Sequence, residues 1–388
     1  MAIAGTTMDN GFDAIVVGAG PAGCAAAYDL AAHGRKVLLL DKCQFPRLKP
    51  CAGALTVKTL GALRYDAMPL VRRVCREMKF SLGEAGKVVT NHRPVAAMTV
   101  REEFDQFCLQ QCIARGADFR PGHCAMGLAR QGEDWIVSTN RGSFRARFLI
   151  GADGANSQMR RLLAPTHPLR FGLALETCVA AERPGDWPME FDFAAVEHGY
   201  GWLFPKDNHL NVGLYSLNAT IPRAAEKLAA FVAAKTGRRI SRPIHGHQIA
   251  YGGRRARFAW DNACLVGDAA GLMDPLLGEG IYNAIRSGQL AAGAALDADD
   301  SRPADFAAAI GQVRRDLASY DSETRRFYSN IRRGYRRLLR WPVSRVLLNG
   351  FSLGLSVGQI KRRGLLLIGG SDGADERFYF FHGLLAQC

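Results

Sequence analysis

The sequence predicts an α/β fold with a second, antiparallel sheet and a helical C-terminal region. Three observations carry this prediction. A glycine-rich segment lies between two apolar strands near the N-terminus, two later apolar strands end in glycine and aspartate, and several short strand-like runs lie between those two. Hydrophobic residues make up 48% of the 388 residues, which is enough for two or three packed units with a core.

The glycine-rich segment reads DAIVVGAGPAGCAAAYDLAAHGRKVLLLD and occupies residues 13–41. An apolar strand precedes Gly18-x-Gly20-x-x-Gly23, an alanine-rich helix follows, and a second apolar strand ends in Asp41. In this context the glycine pattern typically binds a dinucleotide, because the helix N-terminus faces the pyrophosphate and the acid can accept hydrogen bonds from the ribose. We therefore predict a dinucleotide-binding unit of the Rossmann type.

Two later segments each contain a strand followed by glycine and aspartate. The first, FLIGADGANSQMR, contains Asp153 and Gly154, and the second, ACLVGDAAG, contains Gly267 and Asp268. A helix is predicted soon after the second segment, within PLLGEGIYNAIRSGQLAA. A dehydrogenase that binds only NAD needs neither segment, so the dinucleotide is expected to be a different one.

Together the three segments resemble the flavoprotein monooxygenase and reductase superfamily, which has the p-hydroxybenzoate-hydroxylase-like fold. The resemblance covers most of residues 13–295 and implies bound FAD. It implies that Asp268 binds the ribityl chain, and that a helix from about Gly280 points its positive end at the flavin ring. Arg101 matches an arginine that contacts the FAD phosphate or ribityl region. The predicted cofactor-binding residues are Gly18, Gly20, Pro21, Ala22, Gly23, Asp41, Lys42, Arg101, Asp153, Gly154, Gly267, Asp268, Pro275, Gly278, Gly280 and Ile281.

An aromatic strand is predicted between the second and third segments, at GYGWLFPK. Tyr200, Trp202 and Phe204 alternate with smaller residues, which indicates a strand with one aromatic face. The stretch matches the Tyr-x-Trp-x-Phe-Pro-Lys motif of the geranylgeranyl reductase family, and PRLKPCAGAL is similar to that family's cysteine-containing loop at Cys51. The resemblance implies that these four residues line a substrate cavity over the flavin.

The narrower resemblance implies a FAD-dependent oxidoreductase that reduces carbon–carbon double bonds of a hydrophobic, isoprenoid-type substrate. The sequence has no second Gly-x-Gly-x-x-Gly pattern, so the electrons are expected from an external donor such as NAD(P)H or a redox protein. A proton must come from an acid that the sequence does not identify, and no catalytic residue is assigned.

Two other functions are compatible with the same residues. A monooxygenase on this fold would hydroxylate an aromatic substrate, and a peptide tryptophan in quinone-cofactor maturation is one such substrate. A non-catalytic protein would hold FAD only as a structural part of an assembly. The Trp-x-Trp-x-Ile-Pro motif of halogenases is not found in the sequence.

The expected domains follow the motifs. Residues 1–12 are expected to form a flexible tail. The FAD-binding domain is expected to comprise residues 13–75, 100–165 and 255–320. The substrate-binding domain is expected to comprise 76–99 and 166–254, and a helical C-terminal region to comprise 321–388.

The net charge of +14 is concentrated in residues 325–341, RRFYSNIRRGYRRLLRW, where apolar residues recur at helical spacing. This basic region is a candidate for peripheral membrane contact or protein docking. No nucleic-acid motif accompanies the charge, and no nucleic acid is expected. The ten cysteines lack zinc spacing, and His245 and His247 alone do not make a metal site. We expect reduced cysteines, no metal and a cytoplasmic protein.

Overall fold

The computed structural model describes residues 8–165, 169–252, 257–298, 304–318, 324 and 328–330. The strands are β1 (Met8–Val17), β2 (Val37–Asp41), β3 (Ala54–Thr56), β4 (Arg73–Cys75), β5 (Glu77–Leu82), β6 (Ala85–Thr90), β7 (Ala96–Met98), β8 (Asp118–Pro121), β9 (Ala125–Gln131), β10 (Asp134–Thr139), β11 (Gly142–Gly151), β12 (Arg170–Ala180), β13 (Met189–Asp192), β14 (Gly199–Pro205), β15 (His209–Ser216), β16 (His245–Tyr251), β17 (Ala259–Trp260) and β18 (Ala263–Leu265). The α-helices are α1 (Pro21–Ala32), α2 (Val57–Ala62), α3 (Arg101–Ala114), α4 (Gln158–Leu163), α5 (Ala224–Thr236), α6 (Ile281–Leu296) and α7 (Phe306–Ala318).

An eight-stranded sheet forms the larger part of the protein. Its main order is β17-β18-β11-β1-β2-β8, and β10 and β9 extend from the first half of β11. Strands β18, β11, β1, β2 and β8 are parallel to one another, whereas β17 and β10 pair antiparallel with β18 and β11. Strand β2 is buried at every position, as expected for a parallel strand covered on both faces.

Helix α1 packs on strands β1, β2 and β11 of this sheet, and helices α3 and α6 pack against α1. Helix α1 is rich in alanine and is buried along almost its whole length, so backbones approach closely. At Gly288 of α6, an added Cβ would lie only 2.2 Å from the carbonyl oxygen of Ala22, so α6 can cross α1 only without a side chain there. This close packing fixes the N-terminus of α1 at the carboxyl edge of the sheet.

A seven-stranded sheet forms the second layer, in the order β16-β12-β15-β14-β13-β5-β6. All neighbours in it are antiparallel except β13 and β5. One face packs under helix α5 through a core that includes Leu203, Leu228 and Val232, and the other face is aromatic. A third sheet, β3-β7-β4, has only three strands.

The sequence-based expectation of an α/β fold with an antiparallel second sheet is confirmed. The short strand-like runs expected between the two glycine–aspartate segments include β12, β13, β14 and β15. The predicted tail is wrong for residues 8–12, because β1 begins at Met8 and pairs with β11 from there. The other domain boundaries stay predictions.

The basic region 325–341 lies outside the described residues except for 328–330, and most of the expected helical C-terminal region lies outside them as well. Tyr328 is buried, and its hydroxyl donates a hydrogen bond to the carbonyl of Leu276. Within the described residues, no helix is both long and apolar enough to cross a membrane.

Candidate cofactor and substrate site

The strand register brings the predicted cofactor segments together at one edge of the eight-stranded sheet. Val17 of β1 pairs with Gly151 of β11 on one side and with Leu40 of β2 on the other, and Gly151 pairs with Leu265 of β18. The glycine-rich loop, Asp41, the Asp153 segment and the Gly267 segment each begin within two residues of these positions. Four segments that are distant in sequence are therefore adjacent at the carboxyl ends of parallel strands, where such sheets bind ligands.

The glycine-rich loop has the geometry that a pyrophosphate requires. Gly18 has a φ of +106°, and an added Cβ there would lie 2.4 Å from the carbonyl oxygen of Ala152. An added Cβ at Gly23 would lie 1.8 Å from the carbonyl oxygen of Gly18. At Gly20, in contrast, the nearest protein atom would be 3.7 Å away, on Arg47, and no side chain caps the helix N-terminus. These features fit a dinucleotide that lies against Gly20 and the N-terminus of α1.

Asp41 holds the loop from the end of β2. One carboxylate oxygen accepts a hydrogen bond from the amide of Ala19 at 2.8 Å, and the other accepts one from the amide of Cys43 at 2.8 Å. Each oxygen keeps a second lone pair, so the carboxylate can also accept from a ribose hydroxyl. Lys42, the neighbouring predicted residue, is exposed.

Asp153 caps helix α4. Its carboxylate accepts hydrogen bonds from the Ser157 hydroxyl at 2.5 Å and from the amides of Gln158 and Met159 at 2.6 and 3.0 Å. A carboxylate at a helix N-terminus is stabilised by the free amides and the helix dipole. This side chain therefore orders the loop that contains Gly154, and its predicted contact with the cofactor stays a prediction.

Asp268 lies in the short helical turn after β18, surrounded by cations. Burial raises the pKa of its carboxyl, and the positive charges of Lys49, Arg101 and Arg160 oppose that rise. An added Cβ at Gly280 would lie 3.2 Å from one Asp268 oxygen, so the start of α6 adjoins the carboxylate. A carboxylate and several cations around one edge suit a ligand with hydroxyl groups and phosphates.

Arg101 is buried at the start of α3. Its guanidinium forms a bidentate pair with Asp105 one turn later, with distances of 2.8 and 2.9 Å. Arg47 reaches the same carboxylate at 3.2 Å. The sequence analysis missed Asp105, although an acid four residues after a helical arginine is the usual signal for such a pair.

The segment before α6 is held rigidly by Asp274. One oxygen of this buried carboxylate accepts hydrogen bonds from the amides of Leu276 and Leu277, both at 2.9 Å. The other oxygen has no partner within the described structure. Burial raises the pKa of Asp274 to about 6. The segment 275–281, which contains all four predicted residues Pro275, Gly278, Gly280 and Ile281, therefore has a fixed path beside a large cavity.

That cavity has a volume of about 210 Å³ and lies between the aromatic face of the seven-stranded sheet and the segment 277–281. Its walls are largely apolar. The residues that line it include Cys51, Met78, Phe80, Glu176, Met189, Phe191, Tyr200, Trp202, Phe204, Tyr215, His247, Ile249, Leu277, Gly278, Gly280 and Ile281. The cavity therefore has one aromatic wall, and its other wall is the predicted flavin-contacting segment.

The three alternating aromatic residues of β14 all line the cavity, as the sequence predicted for this strand. The Trp202 indole donates a hydrogen bond to the side-chain oxygen of Asn211 at 2.7 Å, and the Tyr200 hydroxyl donates to the carbonyl of Leu277. An added Cβ at Gly213 would lie 2.1 Å from the Trp202 ring, so the neighbouring strand leaves space for the indole. Tyr200 thus connects the aromatic wall directly to the segment opposite.

Cys51 lies in the loop between β2 and β3, and Lys206 holds this loop in place. The buried ammonium of Lys206 donates hydrogen bonds to the carbonyls of Ala52 and Thr99. Burial lowers the pKa of Lys206 to about 8. Lys206, the final residue of the aromatic motif, therefore holds the loop in place through hydrogen bonds. The sequence analysis did not assign this role.

Three polar residues that line the cavity were not predicted from the sequence, and these are Glu176, His247 and Glu279. Glu176 stands in the apolar run LALETCVA of β12, and a lone acid in such a run is a signal that could have been used. His247 contacts Lys49, and burial followed by the charge of Lys49 lowers the pKa of His247 to about 3. Its imidazole is therefore neutral near neutral pH.

Comparisons with known proteins agree with this site. The family profile described as "FAD binding domain" matches residues 11–169. The chain is 30% identical over 314 residues to a menaquinone reductase of Mycolicibacterium smegmatis, covering 74% of this chain and 76% of that one. It is 29% identical over 317 residues to a geranylgeranyl diphosphate reductase of Rhodobacter capsulatus, covering 76% and 78%.

The fold also matches a solved structure. A geranylgeranyl bacteriochlorophyll reductase-like protein from Thermoplasma acidophilum superposes with a TM-score of 0.76 at 21% identity, covering 97% of this chain and 100% of that one. The FAD-binding profile covers the glycine-rich loop and the Asp153 segment. The relatives are named as reductases, so the non-catalytic alternative is rejected. The chain belongs to the geranylgeranyl reductase family of FAD-dependent oxidoreductases.

Proposed function

We propose that this oxidoreductase reduces carbon–carbon double bonds in the polyprenyl chain of a hydrophobic substrate. The observation that carries the proposal is the cavity itself, whose aromatic wall on β14 faces the segment 277–281. The surface of a polyprenyl chain is almost entirely apolar, so a cavity with apolar and aromatic walls can bury it favourably. Geranylgeranyl diphosphate and menaquinone, named for two relatives, both carry such a chain.

The residues that would hold FAD are those at the sheet edge. Gly18, Gly20 and Gly23 would leave room for the pyrophosphate, with Pro21 and Ala22 at the helix N-terminus. Further predicted contacts come from the three other strand ends and from Arg101, and these are Asp41, Lys42, Asp153, Gly154, Gly267 and Asp268. Bound FAD supplies hydride transfer, and the protein supplies binding, orientation and electrostatics.

The cavity walls keep water and competing hydrogen-bond donors away from the substrate. The Tyr215 hydroxyl donates to the carbonyl of Pro275 at 3.0 Å, and the Tyr200 and Trp202 donors are bonded to protein atoms as well. These polar groups are therefore already paired with protein atoms, and their rings line the cavity. An extended apolar chain can lie against them without leaving a buried donor unsatisfied.

The electrons come from an external donor, either NAD(P)H or a redox protein. One glycine-rich dinucleotide loop is present in the sequence, and the FAD-binding profile covers it. A nicotinamide donor would therefore approach the cavity transiently, without a dinucleotide site of its own.

The test is an anaerobic product analysis with the full-length, FAD-loaded protein. The protein is reduced by light and mixed with geranylgeranyl diphosphate or with menaquinone in detergent. The molecular masses of the products are then measured by mass spectrometry. The proposal expects a mass increase of two hydrogens per reduced bond and recovery of the oxidised-flavin spectrum. If neither compound gains hydrogen while the flavin stays reduced, the proposal is wrong.

Hydroxylation of an aromatic substrate, including a peptide tryptophan, is the alternative that the same fold permits. It needs oxygen, so a product that forms only in air and gains one oxygen atom would replace the reductase proposal. Docking of a membrane or a protein through residues 325–341 stays a prediction.

A further inference from the structure

Reduction of a double bond requires a proton as well as a hydride, and few groups on the cavity wall can give one. The Tyr200 and Tyr215 hydroxyls are bonded to backbone carbonyls, and burial raises the pKa of both phenols. His247 has a pKa of about 3, so it carries no acidic proton near neutral pH. Neither type of group is therefore suited to protonate a substrate carbon.

Glu279 is one of two carboxylates on the cavity wall, and it is engaged elsewhere. One oxygen accepts a hydrogen bond from the amide of Tyr282 at 2.7 Å, and the other lies 3.6 Å from the ammonium of Lys58. Lys58 also lies over the Tyr282 ring at 4.3 Å. One oxygen of Glu279 is therefore bonded to the backbone of α6, and the other is paired with a cation.

Glu176 is the other carboxylate on the wall, and its two oxygens are bonded to neutral N–H donors. One oxygen accepts from the amide of Cys51 at 2.9 Å, and the other from the side-chain amide of Asn211 at 3.3 Å. Because the Trp202 indole donates to Asn211, the amide of Asn211 is fixed with its NH₂ group towards Glu176. These neutral donors hold the carboxyl group at one orientation, with one lone pair on each oxygen still available.

The groups that affect the pKa of Glu176 come from several neighbouring strands and loops. Burial raises the pKa of Glu176, and the bonds from Cys51 and Asn211 and the charges of Lys206 and His245 oppose that rise. Cys178, two residues along the same strand, is also close. Among these, Lys206 is bonded to backbone carbonyls, so it is not paired directly with the carboxylate.

We propose that Glu176 is the catalytic proton donor for the reduced double bond. Glu176 would break its O–H bond and give the proton to one alkene carbon, where it would form a C–H bond. Bound reduced FAD would supply the hydride for the C–H bond at the other carbon, so the π bond would be lost, the flavin would be oxidised and Glu176 would become a carboxylate. The role rests on the proposed function, because only that reaction consumes this proton.

The carboxylate must then regain a proton from solvent, and β16 offers a route. His245 stands directly opposite Glu176 in the antiparallel register, and directly opposite side chains share one face of the sheet. His245 is only partly buried. The route from solvent to the Glu176 carboxylate therefore passes His245.

The experiment uses the full-length, FAD-loaded protein with Glu176→Gln, Glu176→Asp and the control Thr177→Val. Thr177 is the next residue on β12, faces the opposite side of the sheet and donates a hydrogen bond near 3.2 Å to the carbonyl of Arg242. Each variant is reduced by light without oxygen and mixed with geranylgeranyl diphosphate in a stopped-flow instrument. Flavin oxidation and product hydrogen are followed as a function of pH.

We expect Glu176→Gln to slow product formation by about 100-fold or more. Photoreduction and substrate affinity should stay as in the wild type. The wild-type rate should fall as pH rises through the pKa of Glu176, because the donor must be protonated. Glu176→Asp should restore part of the rate with a similar pH dependence, and Thr177→Val should behave as the wild type.

Two results would overturn the role, and they are distinct from failure of the proposed function. A Glu176→Gln variant that reduces the probe at the wild-type rate, with the same pH profile, would exclude Glu176. Loss of the pH dependence in Cys51→Ser instead of Glu176→Gln would assign the proton to Cys51. If the wild-type protein reduces neither geranylgeranyl diphosphate nor menaquinone, the proposed function and this role fail together.

Discussion

The cofactor edge and the substrate cavity are adjacent, but they are built in different ways. The cofactor edge consists of four segments that begin where paired strands end, at Val17, Leu40, Gly151 and Leu265, and it is shaped by backbone. The cavity is shaped by side chains from several strands and loops of different sheets. The cofactor is therefore specified by local sequence patterns, whereas the substrate is specified by the volumes of side chains that meet only after folding.

The largest effect is expected at the cofactor edge, from two glycines of the same loop. Gly23→Ala would place a Cβ 1.8 Å from the Gly18 carbonyl oxygen. We therefore expect the variant to be destabilised both without FAD and in the presence of FAD. Gly20→Ala has open space and no positive φ, so we expect normal stability of the FAD-free protein and a weaker affinity for FAD. Thermal unfolding with and without FAD measures both effects.

Equal stability loss in both variants would contradict the assignment of the space beside Gly20 to the pyrophosphate. It would show that the two glycines serve packing alone. Weaker FAD binding in Gly20→Ala, with unfolding of the FAD-free protein unchanged, would sharpen the distinction between packing and binding within one motif.

A second large effect is expected from Asp268→Ala. Burial already disfavours this carboxylate, and only the positive charges of Lys49, Arg101 and Arg160 oppose that cost, so its removal should not weaken the fold. If it binds the ribityl hydroxyls, loss of hydrogen bonds to a charged group should lower FAD affinity by about 10-fold or more. Titration of the FAD-free variant with FAD, followed by flavin fluorescence, measures the change. Wild-type affinity would contradict the predicted role.

Graded effects are expected in the cavity, where two neighbouring residues of β14 face opposite ways. Phe204→Leu should keep FAD, lose about 1 kcal/mol of stability and raise the KM for a polyprenyl substrate, because part of the aromatic wall is removed. Leu203 faces α5. The Leu203→Ala variant should therefore lose about 2 to 5 kcal/mol of stability, and its KM should be unchanged. Steady-state kinetics measure the KM of both variants, and urea unfolding measures their stability. A KM that is raised in Leu203→Ala but not in Phe204→Leu would contradict the assignment of Phe204 to the substrate cavity.

A pH-dependent effect on stability is expected from Lys206→Met. The pKa of Lys206 is about 8 in the folded protein and higher in the unfolded chain, so the unfolded chain holds the proton more tightly. The stability linked to this group is therefore present above the unfolded pKa and lost as pH falls through about 8. Lys206→Met should remove that slope and cost about 1 to 3 kcal/mol, because two carbonyls lose their donor.

Urea unfolding of wild type and Lys206→Met at several pH values from neutral to alkaline measures this difference directly. The difference in free energy of unfolding should grow as pH rises. Parallel pH profiles would show that Lys206 does not titrate in the folded protein.

The cofactor edge was largely predictable because its information is local. Gly18-x-Gly20-x-x-Gly23, with strand, helix and Asp41, needs only one stretch of sequence, and the register then adds the other segments. The aromatic face of β14 was predictable from its period of two. Glu176 and His247 were not predicted as cavity residues, because their position depends on which strands pair with β14 and β15. Asp153 was predicted as a cofactor residue, although the structure uses its carboxylate to cap α4.

The central claim is that reduced flavin in this protein reacts with a polyprenyl chain that occupies the aromatic cavity. The most direct test is a competition in a stopped-flow instrument, in which the photoreduced protein meets either air-saturated buffer or anaerobic geranylgeranyl diphosphate. The account predicts slow oxidation by oxygen and fast oxidation by the polyprenyl compound, with hydrogen gained by the product. Fast oxidation by oxygen that is coupled to hydroxylation of an aromatic compound, with no reaction of the polyprenyl chain, would contradict it.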